Sequence, residues 1–293
     1  MKRYTLAQFQ KDYPDDDSCL QKLFQLRYAN LVCKCGNDQS EKPFTKVNNR
    51  KAYQCPNCGY QIHPCAGTVF EKTRKPLTVW FYCIYLHSTS KQGIAALEMQ
   101  RAFKMCYTTA LRLSHQIKKL MLNKNEMPLD GILEIDECYL GARNKWKHKS
   151  ARAKHIAENH SSVETKVGAM GFLQRGGEVR VQIMTDIKTF KQRVKENVDK
   201  KSIVITDSHS GYKGLDIEYA KHEIINHIQD EFVKGEYSCQ SIEGFWFHMR
   251  RTLRTHIHVD LKYLQLYIDQ ACFIYMNRER QDKMFDLILS RVA

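Results

Sequence analysis

The sequence has no apolar run long enough to cross a bilayer. Its longest, WFYCIYL at residues 80–86, is far shorter than the ~20 residues a membrane helix needs. The opening MKRYTLAQFQKDYPDDD lacks the uninterrupted apolar core and small-residue cleavage site of a secretory signal. No amphipathic membrane helix, internal repeat or low-complexity tract is evident. A membrane-spanning or secreted protein is therefore disfavoured, and a soluble, intracellular, folded chain is expected. A complete disulfide framework is excluded too, because the eleven cysteines are an odd number. Reduced, buried thiols plus one metal site fit better.

Acidic residues are scarce in only one part of the chain. Residues 1–125 carry 20 Lys/Arg against 8 Asp/Glu, whereas residues 126–293 carry 26 against 24. A net charge of +14 so concentrated suits a polyanionic partner, and nucleic acid ranks ahead of a membrane.

Pattern divides the chain into four parts. Residues 1–30 form a helical lead-in, with Leu20, Leu23, Phe24 and Arg27 at helical spacing behind the acidic DDDS. Residues 31–70 form a small metal module, and 71–125 a helical module. Residues 126–293 form a mixed α/β domain, reached through the polar linker NKNEMPLDG at 123–131. Within that domain the expected order is strand, hairpin, helix, strand, strand, helix, helix. Its segments are ILEIDECYL, KVGAMGFLQ and EVRVQIMT around Gly176 and Gly177, TFKQRVKENV, SIVITD, EIIN, and helices at 239–255 and 260–277.

The metal module contains CKCG at 33–36 and CPNCG at 55–59, with nineteen residues between Cys35 and Cys55. Cys33, Cys35, Cys55 and Cys58 then offer two halves of a tetrahedral zinc site, and the metal supplies folding energy that so small a core cannot. The first pair is C-x-C rather than C-x₂-C, so His63 or Cys65 are alternative ligands. In the helical module, SKQGIAALEMQRAFKMCYTTALRLSHQIKKLM at 90–121 reads as two helices around a turn near 101–106. Ala110, Leu113, Ile117 and Leu120 make a buried stripe, leaving Tyr107, Thr108, Arg112, His115 and Lys119 for a DNA groove. Two readings stay open here, a helix-turn-helix or a packing module with a solvated basic face.

GILEIDECYLG at 131–141 places Glu134, Asp136 and Glu137 in a buried-looking strand, where charge is costly unless paired or metal-bound. Alternation puts Glu134, Asp136 and Cys138 on one face and Leu133, Ile135, Glu137 and Tyr139 on the other. Asp207 ends the apolar run of SIVITD, either as a site acid or as a helix cap. Glu243, in SIEGFWFHMRRTLR, shares a helix face with Phe247, Arg250 and Arg254, either as an ion-pair residue or as a metal ligand. Taken together, Asp136, Asp207 and Glu243 can converge on two divalent cations, the arrangement that two-metal phosphoryl chemistry requires. Glu134 and Glu137 are assigned to support or surface.

Thirty-five residues separate Asp207 from Glu243, a spacing seen in many DDE transposases. CPNCGYQIHPCAGTVFEKTRKPLTVWFYCIYL, SKQGIAALEMQRAF, EIDECYLG, VITDSHSGY and SIEGFWFHMRR resemble the ISXO2-like, or IS1595-family, insertion-sequence transposases of bacteria. The resemblance runs from about residue 20 to 278. It implies an α/β fold with an RNase H-like catalytic domain behind a zinc ribbon and a helix-turn-helix. It also implies a catalytic triad of Asp136, Asp207 and Glu243, two Mg²⁺ or Mn²⁺ ions, and one structural Zn²⁺. Asp136 would bridge the two ions, with Asp207 and Glu243 each holding one.

The implied activity is cleavage at terminal inverted repeats followed by transfer of the freed 3′-hydroxyl into target DNA. The implied partners are double-stranded DNA and a second copy of the chain, at the bacterial nucleoid in the cytoplasm. Arg250, Arg251 and Arg254 are expected on the DNA backbone. His209 and His227 are possible substrate contacts, and the basic stretch at 141–162 is a possible clamp. The competing readings are a nuclease of the same fold without strand transfer, and a transposase-derived DNA-binding protein.

Overall fold

A computed structural model describes residues 4–40, 42–141, 166–184, 188–226, 233–256 and 258–292. The chain divides into two compact units, Met1–Leu122 with Asn277–Ala293, and Asn123–Met276.

In the first unit, helices α1 (Leu6–Asp12) and α2 (Asp16–Tyr28) each open on a side-chain cap. Asp15 accepts the backbone N–H of Ser18 at 2.8 Å, so the acidic run does start a helix, as its composition predicts. Three short antiparallel strands follow, β1 (Thr45–Lys46), β2 (Tyr53–Gln54) and β3 (Gln61–Ile62). Phe24 of α2 stacks on Tyr53 with ring centroids 4.2 Å apart. The WFYCIYL run lies in α3 (Leu77–Thr89), which is buried over most of its circumference, the condition under which an unpatterned apolar helix is stable in water.

Helices α4 (Ala96–Phe103) and α5 (Tyr107–Lys119) are joined by a three-residue turn in which Lys104 adopts a left-handed φ of 46°. Ala110, Leu113, Ile117 and Leu120 are all buried, as their spacing predicts.

The second unit is mixed α/β. Its elements are β4 (Ile132–Leu140), β5 (Val167–Gln174), β6 (Val179–Met184), α6 (Phe190–Asn197), β7 (Ile203–Asp207), β8 (Lys221–Ile225), the small hairpin β9 (Val233–Lys234) and β10 (Tyr237–Ser238), α7 (Gln240–Arg254) and α8 (Leu261–Met276). Five strands form one sheet in the order β6-β5-β4-β7-β8. The β6, β5 and β4 neighbours are antiparallel, and β4, β7 and β8 are parallel.

The sheet has a core on each side. Cys138, Ile205 and Ile225 pack with Ile242, Phe245 and Met249 of α7 and with Ile268 and Cys272 of α8. Leu133, Ile135 and Val204 pack with Val194 of α6 and with Tyr212 and Leu215. Strand β4 therefore presents alternate residues to two different apolar layers, which explains why its sequence is apolar on both faces except at the acids.

A third helix closes the chain beyond the two that sequence pattern predicts. Helix α9 (Met284–Ser290) groups with the first unit, where Phe285 meets Phe9, Tyr13 and Phe81. Arg291 donates to the Leu122 carbonyl oxygen at 2.9 Å.

Candidate active site

The parallel pairing of β4 and β7 runs from Ile132↔Ile203 to Ile135↔Thr206. The next residues are Asp136 and Asp207, so both acids stand where the two strands part. A crevice at the carboxyl ends of parallel strands is where open α/β sheets place ligands, because the backbone ceases to fill the space between the strands. One oxygen from each of Asp136, Glu137 and Asp207 lies within 4.8 Å of the other two.

Glu137 is the unexpected member of this group. Sequence alternation assigns it to the face opposite Asp136, and that face is correct: its carboxylate accepts the Tyr212 hydroxyl at 2.8 Å. At the end of the β4–β7 pairing, however, side chains from both faces reach the same opening. His209 is also drawn in, with Nε2 3.9 Å from Glu137, its ring stacked on Phe190, and its backbone N–H donated to Asp207 at 3.0 Å.

Asp136 accepts the indole N–H of Trp246 at 2.8 Å. Burial pushes its carboxyl above the ordinary value, Trp246 opposes that rise, and the charges of Asp207 and Glu243 add to it. Burial likewise raises Glu137, Tyr212 opposes, and Asp207 and Asp136 add. Glu243 is exposed on the first turn of α7, outside the 4.8 Å group but close enough for its charge to act on Asp136. Asp136 and Glu137, both pushed up by burial, form with Asp207 a hard-oxygen set suited to a divalent cation, which would relieve their mutual repulsion.

Glu134 has a different task. It is fully buried, and its two oxygens accept Arg175 Nε at 2.9 Å and the backbone N–H of Ile242 at 3.0 Å. The same Arg175 donates to the carbonyl oxygens of Glu236 at 2.8 Å and Ser238 at 3.0 Å. The first turn of α7 is thereby tied to β4, and Glu243, next to Ile242, is held at the site's edge.

Trp246 reaches Asp136 only because β5 has no side chain beneath it. Asp136 pairs with Gly171, and a Cβ there would stand 2.6 Å from Trp246 Cη2. Gly171→Ala is expected to displace the indole, cost about 1–3 kcal/mol and shift its emission. Urea unfolding followed by tryptophan fluorescence checks this, and an unchanged midpoint and spectrum would contradict it.

The remaining sequence-derived residues are distributed as follows. Tyr107, Thr108, Arg112 and Lys119 are exposed along α5. Arg250, Arg251 and Arg254 are exposed on α7, with Arg250 donating to Cys138 Sγ at 3.0 Å and Arg251 lying over the Phe247 ring. His227 and the basic stretch beyond Gly141 lie outside the described residues.

In the first unit, ligand atoms of Cys33, Cys35, Cys55 and Cys58 all lie within 4.8 Å of one another, and neither His63 nor Cys65 belongs to that group. Sγ–Sγ distances of 3.4 Å for Cys33–Cys58 and 3.7 Å for Cys35–Cys55 approach the ~3.8 Å separation expected around tetrahedral zinc. The four thiols could hold such an ion, and all are free of disulfides.

Residues 128–275 match the family described as "ISXO2-like transposase domain". The chain is 24% identical over 256 residues to a Halobacterium salinarum protein described as "Uncharacterized protein in transposable element ISH50", covering 84% of this chain and 86% of that one. It is also 29% identical over 86 residues to an "Uncharacterized transposase-like protein" of Haemophilus influenzae, covering 29% of this chain and 69% of that one.

Proposed function

The chain belongs to the ISXO2-like transposase family, and from that premise we propose that it cuts DNA at insertion-sequence ends and joins the freed ends to target DNA. The observation that carries this reading is the meeting of Asp136, Glu137 and Asp207 where β4 and β7 part, with Glu243 bordering them from α7. The sheet order, three antiparallel strands followed by two parallel ones, supports an RNase H-like fold for Asn123–Met276.

Asp136 and Asp207 would hold divalent Mg²⁺ or Mn²⁺, with Glu243 or Glu137 completing the set. Bound there, the ions would lower the pKa of an attacking water or 3′-hydroxyl and stabilise the leaving oxygen. Every other step falls to the protein. Trp246 fixes the Asp136 carboxylate through its indole N–H, Tyr212 fixes Glu137, and the Glu134–Arg175 pair holds the α7 turn that carries Glu243. No protein nucleophile is needed, since water and then the DNA 3′-hydroxyl serve that role.

The four-cysteine module is read as a structural zinc ribbon. Helices α4 and α5 are read as a helix-turn-helix whose exposed Tyr107, Thr108, Arg112 and Lys119 meet DNA. Arg250, Arg251 and Arg254 are read as backbone contacts near the cut. Joining requires two ends to be held together, so a dimer at least is the working assembly.

The test incubates the full chain with labelled DNA from the flanks of its own gene, a target plasmid and Mg²⁺ or Mn²⁺, beside Glu243→Gln. Joined products that need metal and vanish in the variant are expected. Cleavage without joining would identify a nuclease, and specific binding without either reaction a DNA-binding relic.

A further inference from the structure

A groove of about 820 Å³ opens in the second unit beyond the carboxylates, between the end of β4 and helices α7 and α8. Among the described residues its formally charged lining is of one sign, Lys166, Arg250 and Arg254, with His256 and His258 beside them. Its remaining walls are apolar or aromatic, with Tyr139 39% and Leu261 51% exposed beside the partly buried Leu253 and Val259. A pairing of cations with exposed apolar surface is unsuited to a duplex, which shows proteins a polar backbone and recessed base edges. It suits an unpaired strand, whose phosphates take the cations and whose bases need a flat apolar seat.

The groove also joins the acidic site. Arg250, on its wall, donates to Cys138, and Cys138 shares a face of β4 with Asp136, two residues or about 7 Å along the strand. The register explains the space. Strand β7 pairs with β4 only as far as Ile135, so residues 136–140 pair with β5 alone.

We propose that this groove holds an unpaired single strand of DNA adjoining the cut site, with its phosphates on Arg250 and Arg254 and a base seated against Tyr139 and Leu261. The inference rests on the reading of the chain as a DNA-cutting enzyme, and it adds the state of the substrate there: DNA enters the site frayed, with at least one nucleotide out of the duplex.

The test measures binding of the full chain, without divalent ions, to a fluorescent hairpin duplex and to the same hairpin with a tail of about five unpaired thymidines. The tail is expected to tighten binding about tenfold. Combining Tyr139→Ala with Leu261→Ala is expected to remove that gain while leaving the blunt hairpin within about twofold. A tail that adds nothing, or a variant that weakens both probes equally, overturns the proposal.

A second measurement does not depend on the variant folding. Iodouracil placed in the tail is expected to photocrosslink wild-type protein within residues 139–141 or 250–261, and crosslinks confined elsewhere would also overturn it. Because neither assay needs catalysis, a failure of strand transfer leaves both interpretable, and a failed tail effect leaves the strand-transfer result standing.

Discussion

Replacing Asp136 with Asn is expected to reduce metal-dependent cleavage and joining about a thousandfold or more while making the metal-free protein harder to unfold. The two effects have one cause. Burial and the nearby charges of Asp207 and Glu243 hold the Asp136 carboxyl above its ordinary value. A raised carboxyl pKa in the folded state means that the ionised form costs stability. That cost is fully present above the folded pKa and is relieved as pH falls through it. Asn keeps the shape and removes the cost at every pH, so the melting temperature should rise by a few degrees.

Divalent ions reverse the ranking. They bind the folded wild type and raise its melting temperature with concentration, by an amount equivalent to about 2.7 kcal/mol at a hundredfold excess over Kd, and should leave Asp136→Asn nearly unmoved. The wild-type response should weaken as pH falls, because protons compete for the same oxygens. Differential scanning fluorimetry across pH and Mn²⁺ concentration measures all of this. A variant less stable than wild type without metal would show that Asp136 is structural instead.

Stripping zinc, or Cys55→Ser, is expected to unfold the module spanning residues 31–70 and abolish recognition of element ends. Strands β1, β2 and β3 have two residues each, and the large buried side chains around them are few: Phe44, Tyr53, Ile62 and Phe70, with Phe24 from α2. So little burial does not offset the entropy of ordering forty residues, whereas a four-thiolate zinc site contributes about 10–16 kcal/mol. Metal analysis should find one zinc per chain in wild type and little in the variant. Hydrogen exchange should show fast exchange confined to the module, and end binding should fall to the level of nonspecific DNA. The fluorimetric response to Mn²⁺, which reports the carboxylates, should persist. Retained zinc in Cys55→Ser, with slow exchange, would mean that another residue completes the site.

Much of this arrangement is local enough to read from sequence. The cysteine spacing, the α5 stripe and the alternation along β4 depend on residues close together in the chain, and each places its residues where the structure has them. Glu137 was not legible in the same way. Its face is correctly assigned by alternation, yet whether opposite faces meet depends on where β7 stops pairing with β4, seventy residues away. Trp246 looks like one more apolar residue of an amphipathic helix. Its polar role appears only when Gly171, seventy-five positions earlier, is found beneath it. Helix α9 was not legible because a segment of seven residues has too little periodicity to stand out, and its partners Phe9 and Phe81 lie more than two hundred positions away.

The grouping of residues from both ends of the chain into one unit has a consequence for biosynthesis. The carboxylate-bearing segment Asn123–Met276 is continuous and can collapse as soon as it clears the ribosome. The aromatic cluster of Phe9, Tyr13 and Phe81 must wait for Phe285. The first unit is therefore finished last, although its first residues are made first. A ribosome that stalls late releases a chain whose carboxylate-bearing unit is complete while the unit with the cysteine module still lacks its last helix.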